Sequence, residues 1–277
     1  MALTEKLTAI GEAIRAKTGT TDLLTLDAMP AAIEGISGGS SGGWPEAPDD
    51  GKTRLYITLQ EGRTSPMLGV CPNGTVTVDW GDGTEPDVLT GTDVTVVAWT
   101  PNHAYAAPGD YVITLTVDGE MGLFGHSNNL QRSGILRYTS TADARNTVYL
   151  YALRQIAIGS GVTSIGKYAF FGCSALVSIT IPESVTSIKD YAFYNCPALA
   201  SITIPKSVAN IGSSVFYSCN GVAYYDFTSH TTVPTLSDAD TFGSIVADCE
   251  IRVPATLYDE WIVASNWATL ASYIKAY

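Results

Sequence analysis

Positive charge is scarce in this chain. Lys and Arg number 15 against 27 Asp and Glu, for a formal net charge of −12 and a pI near 4.5. Nucleic acids and anionic membrane surfaces are held by basic patches, so neither is an expected partner. Long apolar runs are also missing: none reaches the roughly 18 residues of a membrane-spanning helix, so membrane insertion is not expected. Histidine occurs only at 103, 126 and 230. No G-x-S-x-G elbow, P-loop, HExxH or dinucleotide fingerprint is present. The five cysteines include no CxxC pair, which removes the usual zinc signature. These absences argue against an enzyme and against a metal or cofactor. The opening MALTEKLTAIGEAIRAK has no basic region followed by an apolar core, so it does not read as a secretory signal. Disorder is excluded as a global state, because 45% of residues are hydrophobic. The length of 277 residues leaves room for two or three domains.

What is present is a repeat. VTSIGKYAFFGCSALVSITIPES, VTSIKDYAFYNCPALASITIPKS and VANIGSSVFYSCNGVAYYDFTSH begin at Val162, Val185 and Val208, a period of 23 residues. Self-similarity at this period predicts a solenoid of stacked units, because one copy cannot bury its own apolar face. Ile165, Ile188 and Ile211 correspond, as do Phe170, Phe193 and Phe216, and Cys173, Cys196 and Cys219. The Ile-x-Ile alternation of Ile179 and Ile181, Ile202 and Ile204 places two apolar residues on one face of a strand. The spacing from Phe170 to Cys173 suits one helical or 3₁₀ turn facing the same core. RQIAIGSG at 154–161 and CEIRVP at 249–254 read as degenerate rungs, for about five stacked strands. The three repeat cysteines are expected to be free thiols packed as small hydrophobes.

The segments AFFGCSALVSITIP and AFYNCPALASITIP resemble the BspA-type leucine-rich repeat, an AF-x-x-C turn followed by L-x-x-I-x-I-P. VFYSCNGVAYYDF departs from it, losing the Ala and the Pro. The resemblance implies a surface protein of bacteria or phages that binds cells or matrix.

Before the repeat, TRLYITL, TVTVDW, VTVVAW and YVITLTV are β-branched and aromatic runs bounded by Gly, Pro and Asp. They predict a β-sandwich over 53–118. VDWGDGTEP followed by HAYAAPGDYVITLTV resembles a PKD-like, immunoglobulin-like domain. The resemblance places Trp80 in the core and gives His103 and Tyr105 as its His-x-Tyr. Asp79, Asp82, Glu85 and Asp87 admit calcium, but acids in turns more often bond their own backbone. Asn73-Gly74-Thr75 matches a glycosylation sequon and reads as a turn.

At the start, Leu3, Leu7, Ile10 and Ile14 form one apolar stripe of a helix over 1–17, and Met29, Ile33 and Ile36 mark a second. LTEKLTAIGEAIRAKTGTTDLLTLDAMPAAIEGI resembles a module at the start of phage tail and fibre proteins. That stripe lacks a partner of its own, so 1–36 is read as an anchoring or oligomerisation module. A homotrimer and other virion tail proteins are the expected partners. SGGSSGG opens a Gly/Ser/Pro-rich linker over 37–52.

The expected organisation is multidomain and mainly β. It runs from the helical module (1–36) and linker (37–52) to the sandwich (53–118), acting as a spacer. A join and N-terminal solenoid cap (119–150), leucine-rich repeats (151–254) and a helical C-terminal cap (255–277) follow. Trp261, Trp267, Leu270 and Ile274 are placed in the core of that last cap, on helical segments.

Two candidate ligand surfaces follow. The outward strand residues are Gln155, Ala157, Ser178, Thr180, Ser201, Thr203, Tyr224, Asp226 and Arg252, a neutral ladder rich in hydroxyls. A second stripe carries Tyr168, Phe171, Tyr191, Tyr194 and Tyr217. Exposed rings in a row suit glycan or protein contact, and the competing reading is rung-to-rung packing. The leading expectation is a virion-associated tail fibre recognising a bacterial surface glycan or protein. The alternative is a bacterial BspA-type surface adhesin, and a glycan-processing enzyme ranks third.

Overall fold

A computed structural model describes residues 44, 47–123, 135–137 and 151–277. The chain divides into two compact units, Met1–Ala47 and Pro48–Tyr277. The expected helices with Leu3, Leu7, Ile10 and Ile14 lie outside the described residues, as do most of the linker and of the expected join over 119–150.

The second unit begins with antiparallel strands. They are β1 (Thr53–Leu59), β2 (Met67–Asp79), β3 (Asp87–Thr92), β4 (Ala98–Trp99) and β5 (Gly109–Leu123), with a short β6 (Leu136–Arg137). β2 pairs with β3 on one side and β5 on the other, and β5 pairs with β1. The run VTVVAW delivers only β4. Ahead of it, Asp93 Oδ1 accepts from both the backbone N–H and the hydroxyl of Thr95, so a side-chain-bonded turn replaces a strand. The Asn73-Gly74-Thr75 sequon is strand, not turn. Gly74 (φ 122) faces Gly119 (φ 110) across the ladder. A Cβ on either would fall 2.2–2.3 Å from a carbonyl oxygen of the other strand, so this close crossing requires both glycines.

Each repeat then supplies two short strands. They are β7 (Leu153–Ala157) and β8 (Val162–Ile165), β9 (Ser178–Thr180) and β10 (Ser187–Ile188), and β11 (Ser201–Thr203) and β12 (Asn210–Ile211). β13 (Tyr224–Asp226) and β14 (Thr235–Leu236) are the last such pair, and β15 (Glu250–Val253) and β16 (Ile274–Ala276) follow as single strands of one column. β8, β10, β12 and β14 form one parallel column. The other column is built from β7 with β9 and from β11, β13, β15 and β16, all parallel. The Ala200 N–H bonds the Val177 carbonyl where β9 gives way to β11. The Val-x-x-Ile column was not expected as strand. Its two buried residues stand three apart with half-buried or exposed ones between, which hides the period of two.

The repeat phenylalanines stack up the interior. Phe170, Phe193, Phe216 and Phe242 are buried, with successive centroids 5.1, 5.5 and 5.3 Å apart. Phe242 identifies a further rung between the third repeat copy and CEIRVP. Phe170 and Cys173 bracket one i→i+3 turn, the Cys173 N–H bonding the Phe170 carbonyl. Left-handed backbone recurs at two rung positions: Tyr168, Tyr191 and Ser214, then Gly172, Asn195, Ser218 and Ser244. At Tyr168, Tyr191, Gly172, Asn195 and Ser218 the N–H reaches a carbonyl of the next rung, and this stacking offsets the cost of non-glycine residues there.

None of the five cysteines is bonded to another, and all are buried. The Cys196 thiol donates to the Phe170 carbonyl (3.1 Å) and the Cys219 thiol to the Phe193 carbonyl (3.0 Å), so the thiols tie rungs together. Burial pushes the Cys173 and Cys71 thiols up to about 12 and Cys249 up to about 11, which suppresses the reactive thiolate. A disulfide reagent is therefore expected to titrate none of these thiols in the native protein and all five after denaturation. A bridged Cys173–Cys196 peptide would contradict this.

The expected separate sandwich ending at 118 does not describe these strands. β5 runs on to Leu123, and its last residues pair in parallel with β8. β1 pairs antiparallel with β7. Both solenoid columns therefore continue into β1 and β5, which close that end of the stack. At the other end Trp261, Trp267, Leu270 and Ile274 are buried, but the cap is only partly helical. α1 (Tyr258–Trp261) and a 3₁₀ turn at Ala268–Leu270 lead into β16, so Ile274 sits on a further rung and not on a helix. The Asn266 amide bonds the Leu236 carbonyl and the Trp267 indole the Pro234 carbonyl, covering the edge of β14.

Candidate functional site

The aromatic stripe is a wall of stacked rings. Tyr168 lies on Tyr191 at 5.1 Å and 3°, Phe171 on Tyr194 at 4.9 Å and 6°, and Tyr194 on Tyr217 at 5.1 Å and 4°. Tyr168–Phe171 and Tyr191–Tyr194 contacts join the two files. All five are half-buried. Much of each ring face is already taken by a neighbour, so rung-to-rung packing accounts for the pattern and only edges and hydroxyls are offered outward. Beside the wall, Lys167 Nζ lies 2.7 Å from Asp190 Oδ2 across one rung step. Burial opposes ionisation of Asp190, but Lys167 and the Ser213 N–H outweigh it and hold the carboxyl below its ordinary value.

The strand face is more varied. Thr180 and Thr203 are exposed, while Ser178 and Ser201 are half-buried. Gln155 and Ala157, expected to point outward with them, are buried, at 6% and 9% exposure. They sit on β7, where Gln155 faces Tyr56 of β1, so the open ladder begins one rung later. Tyr224 and Asp226 are half-buried. Asp226 turns back to cap Thr228, accepting from its N–H (2.9 Å) and hydroxyl (2.7 Å).

The far end of this face carries a cluster that the expected site lacks in part. In register, Tyr224 pairs with Glu250, Asp226 with Arg252, and Arg252 with Lys275. The Arg252 guanidinium carbon lies 3.8 Å from the Tyr224 ring centre and 4.9 Å from that of Tyr277. Glu250 Oε2 accepts from Arg252 Nε and from the Tyr277 hydroxyl, each at 2.9 Å. Those two hydrogen bonds, Arg252 first, hold the Glu250 carboxyl below its ordinary value. Glu250 was missed, although aligning CEIRVP with VSITIP sets it opposite the outward Ser178, as Arg252 is set opposite Thr180. Tyr277 was hidden by the all-helical expectation for the cap.

Three of the four carboxylates weighed for calcium, all but Glu85, have other duties. Asp79 accepts from the Gly81 N–H, Asp87 from the Trp80 indole, and Asp82 from Thr84 and His103. Among the described residues no three His, Cys, Asp or Glu side chains converge on a metal position. His103 lies 4.4 Å from Trp80 in a parallel stack, and the Tyr105 hydroxyl bonds the Trp80 carbonyl, so this His-x-Tyr braces a turn. Burial raises the Asp82 pKa, but the Thr84 and His103 bonds outweigh it and leave the carboxyl lowered.

His230 is buried between Phe227 and Trp261 with Nε2 bonding the Ile204 carbonyl at 3.1 Å. A carbonyl accepts only, so Nε2 carries the proton. Burial pulls its pKa below the ordinary imidazole value of 6.5. The unfolded chain then binds the extra proton first. Its stability contribution is complete above the unfolded value of 6.5 and declines as pH falls from there to the lowered folded value. The urea midpoint of the wild type is expected to fall between pH 7.5 and 5.5, and that of His230→Gln to fall less; parallel falls would show that another group governs the slope.

Residues 145–239 match the family model for the BspA type leucine rich repeat region, in six copies. Among solved structures, the T. pallidum leucine rich repeat protein is 26% identical, over 48% of this chain and 70% of that one, with a TM-score of 0.34. No curated protein matches the chain.

Proposed function

We propose that the chain is a surface-displayed recognition protein of the BspA-type adhesin kind, binding a cell-surface glycan or protein without turnover. The observation that carries this is the leucine rich repeat match over 145–239. The open strand ladder from Ser178 to Lys275 is the recognition face, being polar, partly exposed and built on rigid rungs. The stacked rings from Tyr168 to Tyr217 stabilise that scaffold and offer edges at its flank. Among the sandwich-like strands and their turns, Asp79, Asp82 and Asp93 bond their own turns and Asp87 bonds the Trp80 indole, which supports a structural use of these acids. Their VDWGDGT and HAY motifs remain the basis for relating those strands to PKD-like domains.

A virion-associated tail fibre is the second reading, resting on the resemblance of residues 1–36. In it, Leu3, Leu7, Ile10 and Ile14 join the chain to tail proteins or to sister chains. Immunogold labelling with an antibody to the full chain tests both. Label on the cell envelope is expected, label on phage tails moves the assignment to the second reading, and label confined to the cell interior overturns both. Labelled full-length protein should also bind host or bacterial cells saturably, releasing no sugar from their glycans.

A further inference from the structure

On the strand face, the last three rungs differ from the ladder before them. Serine and threonine give way to Tyr224, Asp226, Glu250, Arg252, Lys275 and Tyr277. Four of these six form a closed set of contacts. Arg252 is clasped between two tyrosine rings, and its Nε and the Tyr277 hydroxyl share one oxygen of Glu250. A long arginine side chain ordinarily loses rotamer freedom when it binds; here the clasp has removed that freedom beforehand. With Nε engaged, the terminal nitrogens of the fork stay available, and the side chain keeps 30% of its surface exposed. Tyr277 is 57% exposed beside it.

Charge decides among ligands. Arg252 and Lys275 are balanced by Asp226 and Glu250, and the whole chain is acidic. A polyanion gains little from such a site and is repelled by the rest of the molecule, and a cation meets two guarding positive groups. Planar charged side chains held at fixed separation donate and accept at once, which suits neighbouring hydroxyls. An exposed tyrosine ring beside them suits the C–H face of a pyranose. We propose that this cluster is a subsite for a neutral pyranose of a cell-surface glycan, with Arg252 and Glu250 bonding vicinal hydroxyls and Tyr277 covering the ring. This rests on the adhesive reading but names the site and the ligand class.

The test uses the full chain, titrated by calorimetry with short neutral oligomers of glucose, mannose, galactose and N-acetylglucosamine, and with their uronic-acid counterparts. At least one neutral oligomer should bind. Arg252→Lys keeps the charge but loses the fork, and Tyr277→Ala removes the ring. Each should weaken that binding about tenfold or more, with unfolding midpoints close to wild type. Thr186→Ala, on the other column, should leave it unchanged. Binding of no oligomer, preference for the uronic acids, or equal affinity in all variants overturns the assignment. If the chain still adheres to cells while no oligomer binds, the subsite falls and the adhesive reading stands. If an oligomer binds as described but no cell is bound, the subsite stands and the adhesive reading falls.

Discussion

Phe193→Ala is expected to destabilise the repeat region by about 3–5 kcal/mol, the usual cost of emptying a buried aromatic site. Phe193 is fully buried, stacked on Phe170 at 5.1 Å and on Phe216 at 5.5 Å. Its carbonyl also takes the Cys219 thiol, and its N–H reaches Val215. A cavity there lies between rungs whose strands are held about 4.8 Å apart by hydrogen bonds, so neighbours cannot collapse into it. Tyr194→Ala, one residue on, removes a half-buried ring stacked on Phe171 and Tyr217, and should cost about 1–2 kcal/mol. Urea unfolding of the two variants checks the ordering. Equal shifts of the midpoint would show that the core does not discriminate between the two faces of the turn.

The repeat was legible because its constraint is local and recurs. Val, Ile, Phe and Cys at fixed positions each meet their own kind one rung away, so a period of 23 in sequence becomes a column in space. The strand residues Ser178, Thr180, Ser201 and Thr203 followed from alternation alone. What the sequence hid depends on contacts between distant segments. Gln155 alternates outward like Ser178, and only its place on β7 beside β1 buries it. The VTSI strand lacks a two-residue period, and the lone strand Ile274–Ala276 follows turns rich in tryptophan that resemble a helical cap. The Arg252 clasp needed both Tyr224, in a recognisable repeat, and Tyr277, in an unrecognised one. Likewise, no local signal says that YVITLTVDGEMGL first completes an antiparallel sheet and then turns into the first parallel partner of the solenoid.

That junction carries the second large effect. β7 uses one edge for β9 and the other for β1, and β8 uses one edge for β10 and the other for β5. Removing residues 53–123 would uncover both columns together. The backbone of Leu153–Ala157 and Val162–Ile165 would lose its partners, and the apolar residues Ile156, Val162 and Ile165, all buried in the intact chain, would lose their cover. Terminal units of a stacked array need a capping element, and flat parallel edges without one recruit other chains. The truncated protein should therefore aggregate or form edge-paired oligomers. The intact chain should show one cooperative unfolding transition spanning β1 to β16, as elements sharing one hydrogen-bonded network require. Hydrogen exchange gives the residue-level check: the amides of Thr58 and Met121, bonded to Ala152 and Gly161, should open with the same free energy as that of Phe193. A spacer that merely holds the solenoid at a distance predicts the opposite: two separate transitions, a soluble truncated solenoid, and early exchange at Thr58 and Met121.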